Sequence, residues 1–304
     1  MSENFDSEKQ WKGNTGGGTL GQRLLIFFFR WWGLRVGYAV MAVVVPFYML
    51  FAHKGYLSIY RYFRRHFGYS PWKAFKKTYK NHFVFGQVIL DRFAVFAGKK
   101  NDFEVEVIGN EHYRRLEEGE KGFIMAGSHV GNFEIGGYLL RSEKKMINAM
   151  IYAGETETVQ NNRHDILLDN NIKVIPVLSD MSHLFAANAA LQNGEIVSMP
   201  CDRNHGSAKS VECDFLRGKA DFPVGAFALA SAFDVEVLAV FVIKISVKKY
   251  KVFVTPIVVE ESETSTLSKR KKVEEYVRSY VRELENIVKQ YPEQWFNFYD
   301  FWKN

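Results

Sequence analysis

Hydrophobic and polar positions fall into two alternating patterns beyond residue 100. Phe103–Ile108 alternates apolar and polar residues, as a half-buried strand does. Gly122–Ala126, Met146–Tyr152, Lys173–Val177, Ile196–Met199, Val235–Ile245 and Tyr250–Val259 are short apolar runs of strand length. Between them the period lengthens to that of helices: His112–Glu118, Phe133–Leu140, Glu155–Leu168, Met181–Gln192 and Val224–Phe233, with Ser268–Gln290 as a charged closing helix. Strands and helices that alternate at this spacing predict an α/β domain with a largely parallel central sheet flanked by helices. Ahead of the domain an amphipathic helix is expected over 70–98. It follows a basic–aromatic stretch, YRYFRRHFGYSPWKAFKKTYKNHF.

The first fifty residues follow neither pattern. GNTGGGT at 13–19 belongs to a flexible leader, taken as 1–22. Residues 23–52 hold a hydrophobic segment whose longest apolar run, Val36–Phe51, is 16 residues, slightly short of the ~20 that cross a bilayer. Trp31, Trp32, Tyr48 and Tyr56 flank it like an interfacial belt, and Arg30 and Arg35 are placed to snorkel. It predicts a membrane-anchoring helix, either one tilted span or a helix lying in the interface. The remaining 53–304 form the α/β domain, with 53–100 as its helical start.

Charge sharpens this picture. The chain of 304 residues carries +6 overall, but its first hundred residues carry +12 and the rest −6. A basic third on an acidic body calls for a polyanion. Beside a segment of membrane grade, that polyanion is expected to be an anionic membrane surface, not nucleic acid. More positive charge follows the segment than precedes it, which places the body on the cytosolic side, at the inner membrane. Two cysteines, Cys201 and Cys213, exclude a disulfide framework and a four-ligand zinc knuckle, and nothing requires an oxidising compartment.

Candidate chemistry begins with histidine five positions ahead of an acid. The chain has three such pairs, His112/Glu117, His129/Glu134 and His164/Asp169, so the spacing alone selects nothing. Context does. His112 lies in the charge run EHYRRLEEGE, and His164 at the end of a helical stretch. His129 follows the apolar run GFIMAG, at the carboxyl end of a strand, where open α/β sheets bind ligands. Gly127, Ser128 and Gly131 keep that turn small. Asn132 is a plausible helix N-cap, and Glu134 then falls in the first helical turn, where the macrodipole favours a carboxylate. An imidazole that removes a hydroxyl proton, fixed by a carboxylate, is equipment for acyl transfer. Asp202 and Arg203 follow another apolar run and reach the same sheet edge.

Four blocks in order, GSHVGNFE, NGEIVSMPCDRNHGS, FLRGKADFPVGAFALAS and YPEQWFNFYDFW, resemble those of the bacterial lipid A biosynthesis acyltransferases, a group of the lysophospholipid acyltransferase fold. The resemblance covers most of the chain from about residue 20. It implies transfer of a fatty acyl chain from a thioester, acyl carrier protein or coenzyme A, to a hydroxyl of a lipid acceptor, with no cofactor beyond that co-substrate. It further implies His129 as general base, Glu134 as its orienting partner, Asp202 and Arg203 in substrate binding or site architecture, and no metal; beside them Asn132 and Arg163 are candidate substrate contacts, Arg163 toward a phosphate. The Pro–Glu–Gly–Thr block of glycerophosphate acyltransferases is absent from the sequence. A water-accepting hydrolase with the same pair and a non-catalytic membrane binder are the competing classes.

Overall fold

The computed structural model describes residues 33–51, 53–152, 166–177, 182–204, 209–259 and 269–303. The expected leader, the first part of the hydrophobic segment, Arg163 and His164 lie outside them. The described elements run in the order α1 (Gly33–Phe51), α2 (His53–Arg61), a π-helical turn (Tyr62–His66), α3 (Pro71–Phe96), β1 (Glu104–Ile108), α4 (Asn110–Glu118), β2 (Phe123–Gly127) and α5 (Phe133–Leu139). They continue with β3 (Ile147–Tyr152), β4 (Ile172–Val177), α6 (Ser182–Gln192), β5 (Ile196–Pro200), β6 (Ser210–Phe215), β7 (Gly218–Pro223), α7 (Gly225–Phe233), β8 (Val237–Lys244), β9 (Lys249–Ile257) and α8 (Lys269–Gln290).

Seven strands form one sheet in the order β1-β9-β8-β2-β5-β3-β4. β8, β2, β5, β3 and β4 are mutually parallel; β9 returns antiparallel to β8, and β1 pairs parallel to β9. The α/β class and the mostly parallel sheet are therefore as the pattern predicts. Helices cover both faces because successive strand residues point to opposite sides. In β2, Ile124 and Ala126 join a core with α6, α7 and α8, whereas Phe123 joins a second core with α3 and α5.

One element escaped the sequence pattern. β6 and β7 form an antiparallel hairpin closed by Leu216 and Arg217, with Leu216 at φ 55°. Hairpin turns of two residues normally advertise themselves with Asn-Gly or a leading Gly, and neither stands here. The stretch therefore reads as a loop.

α1 does not stand apart from the domain. It lies antiparallel along α3: Tyr38 meets Asp91, the Met41 side chain packs against Gly86, and the Tyr48 and His82 rings approach to 6.3 Å. Leu34, Tyr38, Val45 and Met49 are buried at a spacing of about one turn, while Val36, Val40, Val43, Phe47, Leu50 and Phe51 on the other side are exposed. At 1.5 Å per residue, the 19 residues of this helix are about 28 Å long. One face is thus fastened to the protein and the other is a continuous apolar surface.

Candidate active site

The site is set by sheet order. β2 and β5 are parallel neighbours, paired from Phe123↔Ile196 to Gly127↔Pro200. Two residues beyond each strand end stand His129 and Asp202, so equal steps from a matched register place them side by side. The His129 ring Nδ1 lies 2.8 Å from Asp202 Oδ1, and the His129 backbone N–H donates to Oδ2 at 3.0 Å. Trp295 Nε1 donates to the same Oδ2 at 3.3 Å.

Asp202 is fully buried, while 23% of the His129 side chain is exposed. Burial alone would raise the Asp202 carboxyl. The His129 ring, the charge of Arg203 and the His129 backbone N–H outweigh it and hold that carboxyl well below the usual carboxylate range. An ionised carboxylate only accepts hydrogen bonds, so the ring nitrogen that donates to it is Nδ1, and Nε2 lies on the opposite side of the ring.

The turn carrying His129 is built by its neighbours. Gly131 sits at φ 71°, and a Cβ there would lie 2.0 Å from the Val242 carbonyl oxygen. Its role is close approach to β8. The Gly131 N–H donates to Gln294 O at 2.7 Å, the Asn132 N–H to Val242 O at 2.7 Å, and the Phe296 N–H to His129 O at 3.1 Å. The C-terminal aromatic block therefore buttresses the turn, and Trp295 at its centre is 1% exposed. Trp295, Phe298, Tyr299 and Trp302 do not line the large apolar cavity described below.

Other expected site residues fall in different places. The resemblance implies Glu134 as the orienting partner of His129; the geometry corrects this, since the carboxylate on the ring is Asp202's. Glu134 is in the first turn of α5, as its neighbour Asn132 caps that helix by accepting the Ile135 N–H at 3.2 Å. The helix carries the Glu134 carboxylate toward α3, where Arg92 Nη1 approaches to 3.2 Å and Tyr138 OH donates at 3.0 Å. Asn132 is 3% exposed; besides the cap, its amide donates to Tyr250 OH at 3.2 Å. Its side chain is thus engaged with the scaffold, contrary to the expected substrate contact. Arg203 donates to the Phe296 carbonyl and stacks over the Tyr299 ring, 5.7 Å from its centre. Arg92 was missed because the apolar periodicity of α3 absorbed it. The signal was Asp91-Arg92, two charges inside VILDRFAVF.

Beside the dyad, an apolar cavity of about 290 Å³ lies between α5 and the sheet. At one end its wall is Gly127, Ser128, Phe133 and Glu134; at the other, Asn110 and Arg114. Met125 and Gly127 of β2 also line it. Among the described residues, no group of three or more metal-ligating side chains comes together.

An imidazole held by a buried carboxylate thus stands beside an apolar cavity. Residues 76–304 match the model of the family described as bacterial lipid A biosynthesis acyltransferase. The chain belongs to that family and is an acyltransferase, with an acyl donor and a lipid acceptor as its substrates. No curated protein matched it. Among solved structures it is similar to the 1-acyl-sn-glycerophosphate acyltransferase PlsC from Thermotoga maritima. The identity is 18%, the match covers 81% of this chain and 97% of that one, and the TM-score is 0.35.

Proposed function

We propose that this enzyme transfers a fatty acyl chain from an acyl carrier protein thioester to a hydroxyl of a lipid A precursor, with His129 as general base. The observation that carries this reading is the His129 Nδ1–Asp202 contact, which leaves Nε2 as the basic nitrogen. The acceptor hydroxyl gives its proton to Nε2 as its oxygen attacks the thioester carbonyl. The tetrahedral intermediate then expels the thiolate, which takes the proton back from the imidazolium. Atoms and charge balance with no covalent acyl-enzyme. The apolar cavity suits the acyl chain, and its position under α5 puts the chain's reacting end next to Ser128 and Phe133. The pair of Glu134 and Arg92 shapes the rim at that end.

Membrane attachment in this proposal is through α1, lying in the cytosolic leaflet of the inner membrane. A helix fastened along one face to α3 is poorly suited to cross the bilayer by itself, since α3 carries Lys73, Lys76, Lys77 and Lys80 near its start. An in-plane helix presents its exposed Val and Phe face to the acyl chains and leaves Lys73, Lys76 and Lys80 to anionic headgroups, Lys77 being paired with Glu293. Trp72 and Phe75, exposed and stacked at 5.5 Å, continue that surface.

Mass spectrometry of total lipids from cells with wild type, His129→Ala or no protein tests the reading. One lipid class that gains a single acyl chain only with wild type is the expected result, and it names the acceptor. Identical lipids from wild type and His129→Ala, both unlike the deletion, would overturn it.

A further inference from the structure

Behind the catalytic turn lies a second polar cluster that acyl transfer does not use. Asp91 of α3 is fully buried, and Lys244 at the end of β8 is 7% exposed; their charged atoms are 2.5 Å apart. Tyr38 of α1 and Tyr250 of β9 both donate to the same carboxylate. From here two arms reach the turn. Tyr250 OH accepts from Asn132 Nδ2 at 3.2 Å, and Asn132 caps α5 three residues after His129. The Lys244 backbone exchanges two hydrogen bonds with the Gln294 side chain, 3.0 and 2.8 Å, and Gln294 O holds the Gly131 N–H.

Stability gives little reason for such a cluster. A buried ion pair replaced by apolar residues of similar volume is often neutral or stabilising, so its retention calls for another role. The placement supplies one. One end of the chain of hydrogen bonds is a side chain of α1, the helix with the exposed apolar face; the other end is the cap next to the general base. We propose that Tyr38, Asp91 and Tyr250 are positioning residues that couple the seating of α1 on a membrane to the order of the His129 turn. The inference rests on the membrane-seated α1 of the preceding section. Without a bilayer, α1 is held by α3 and by the contacts of Tyr38 with Val247 and Lys244 but has nothing on its apolar face, Tyr38 engages Asp91 less of the time, and the Asn132 cap loosens.

Hydrogen exchange of the full chain, read by mass spectrometry over residues 130–136, tests this with and without phosphatidylethanolamine–phosphatidylglycerol vesicles. Vesicles are expected to slow exchange there several-fold in wild type. Tyr38→Phe loses the response, and Tyr250→Phe exchanges fast in both conditions. A turn indifferent to vesicles, or a Tyr38→Phe turn that responds like wild type, overturns the proposal. Should either tyrosine variant fail to fold, Asp91→Leu/Lys244→Met removes the cluster while keeping an apolar fill. Folded but unresponsive supports the coupling; folded and responsive sinks it.

Turnover supplies a separate arm, with dodecanoyl-acyl carrier protein as donor and lipid from cells lacking the protein as acceptor. The tyrosine variants should lose about 10-fold in kcat, with the donor KM within about two-fold of wild type. A wild type without turnover counts against the proposed donor and acceptor, whereas the exchange result stands or falls independently.

Discussion

Asp202 and Asp91 are both fully buried carboxylates within the same domain, yet they do opposite things. Asp202 faces an imidazole whose other edge is open, and it is held ionised, below the usual range. Asp91 faces a buried ammonium and two phenols; burial pushes its carboxyl up, against the pull of Lys244. The first leaves the far edge of its partner ring partly exposed. The second is quenched on every side and can only hold things in place. Burial does not distinguish the two carboxylates; the partner does, and whether that partner is itself open to solvent.

The largest effect that would break this contrast is at the dyad. His129→Ala and Asp202→Asn are each expected to lower kcat about 10²–10⁴-fold, because one removes the base and the other its tautomer control. Steady-state turnover of the two variants beside Asp91→Asn checks it: an Asp91 variant that lost more than Asp202→Asn would reverse the assignment.

Stability should show the reverse order. Asp91→Ala leaves the Lys244 ammonium buried without its carboxylate, at a cost of about 3–5 kcal/mol, whereas Asp91→Leu/Lys244→Met is expected near neutral. Denaturant melts of the two variants decide this. The acid side sharpens it further. The lowered Asp202 carboxyl contributes stability that is complete above the unfolded-state value near 4 and is lost as pH falls below it, toward the folded value. Asp202→Asn should therefore flatten the acid limb below about pH 4.

A smaller effect belongs to the Arg92–Glu134 pair. Glu134→Gln and Arg92→Gln are each expected to lose about 10-fold in activity, and the double variant little more, since either change breaks one shared contact. Additive losses would show that Glu134 acts through something other than Arg92. The smallest effect lies farthest from the site. His66 is stacked on Trp302 at 3.4 Å, and burial, helped by Arg65, pushes its imidazole down to about 4. The unfolded chain takes up that proton first, so stability falls as pH drops from about 6.5 toward 4. His66→Phe should flatten that window in thermal melts, and an unchanged slope would relieve His66 of the role.

What a reader could extract from the chain follows local periodicity. Period-two and period-3.6 patterns placed the seven sheet strands and most helices between them to within a residue or two, because each must bury one face whatever its neighbours are; the helix expected over 155–168 lies largely outside the described residues. The hairpin at 210–223 was illegible because Leu216 and Arg217 turn without the usual glycine. His129 was legible as the residue where a buried strand runs out, and Asn132 as the cap of the next helix.

The sequence by itself thus determined the α/β class, the family blocks, the apolar N-terminal helix and the strand end that carries His129. Which carboxylate meets that imidazole was decided by tertiary structure. Glu134 is five residues from His129 in the chain, but a left-handed glycine and a helix start turn it toward Arg92. Asp202 is 73 residues away, but parallel pairing of β2 with β5 in matched register brings it to the ring. Strand order within a sheet is a long-range choice among buried faces of similar apolarity, and no local pattern encodes it. The same holds for Tyr38, Asp91, Lys244 and Tyr250, four residues from four elements whose meeting exists only once α1, α3, β8 and β9 have packed.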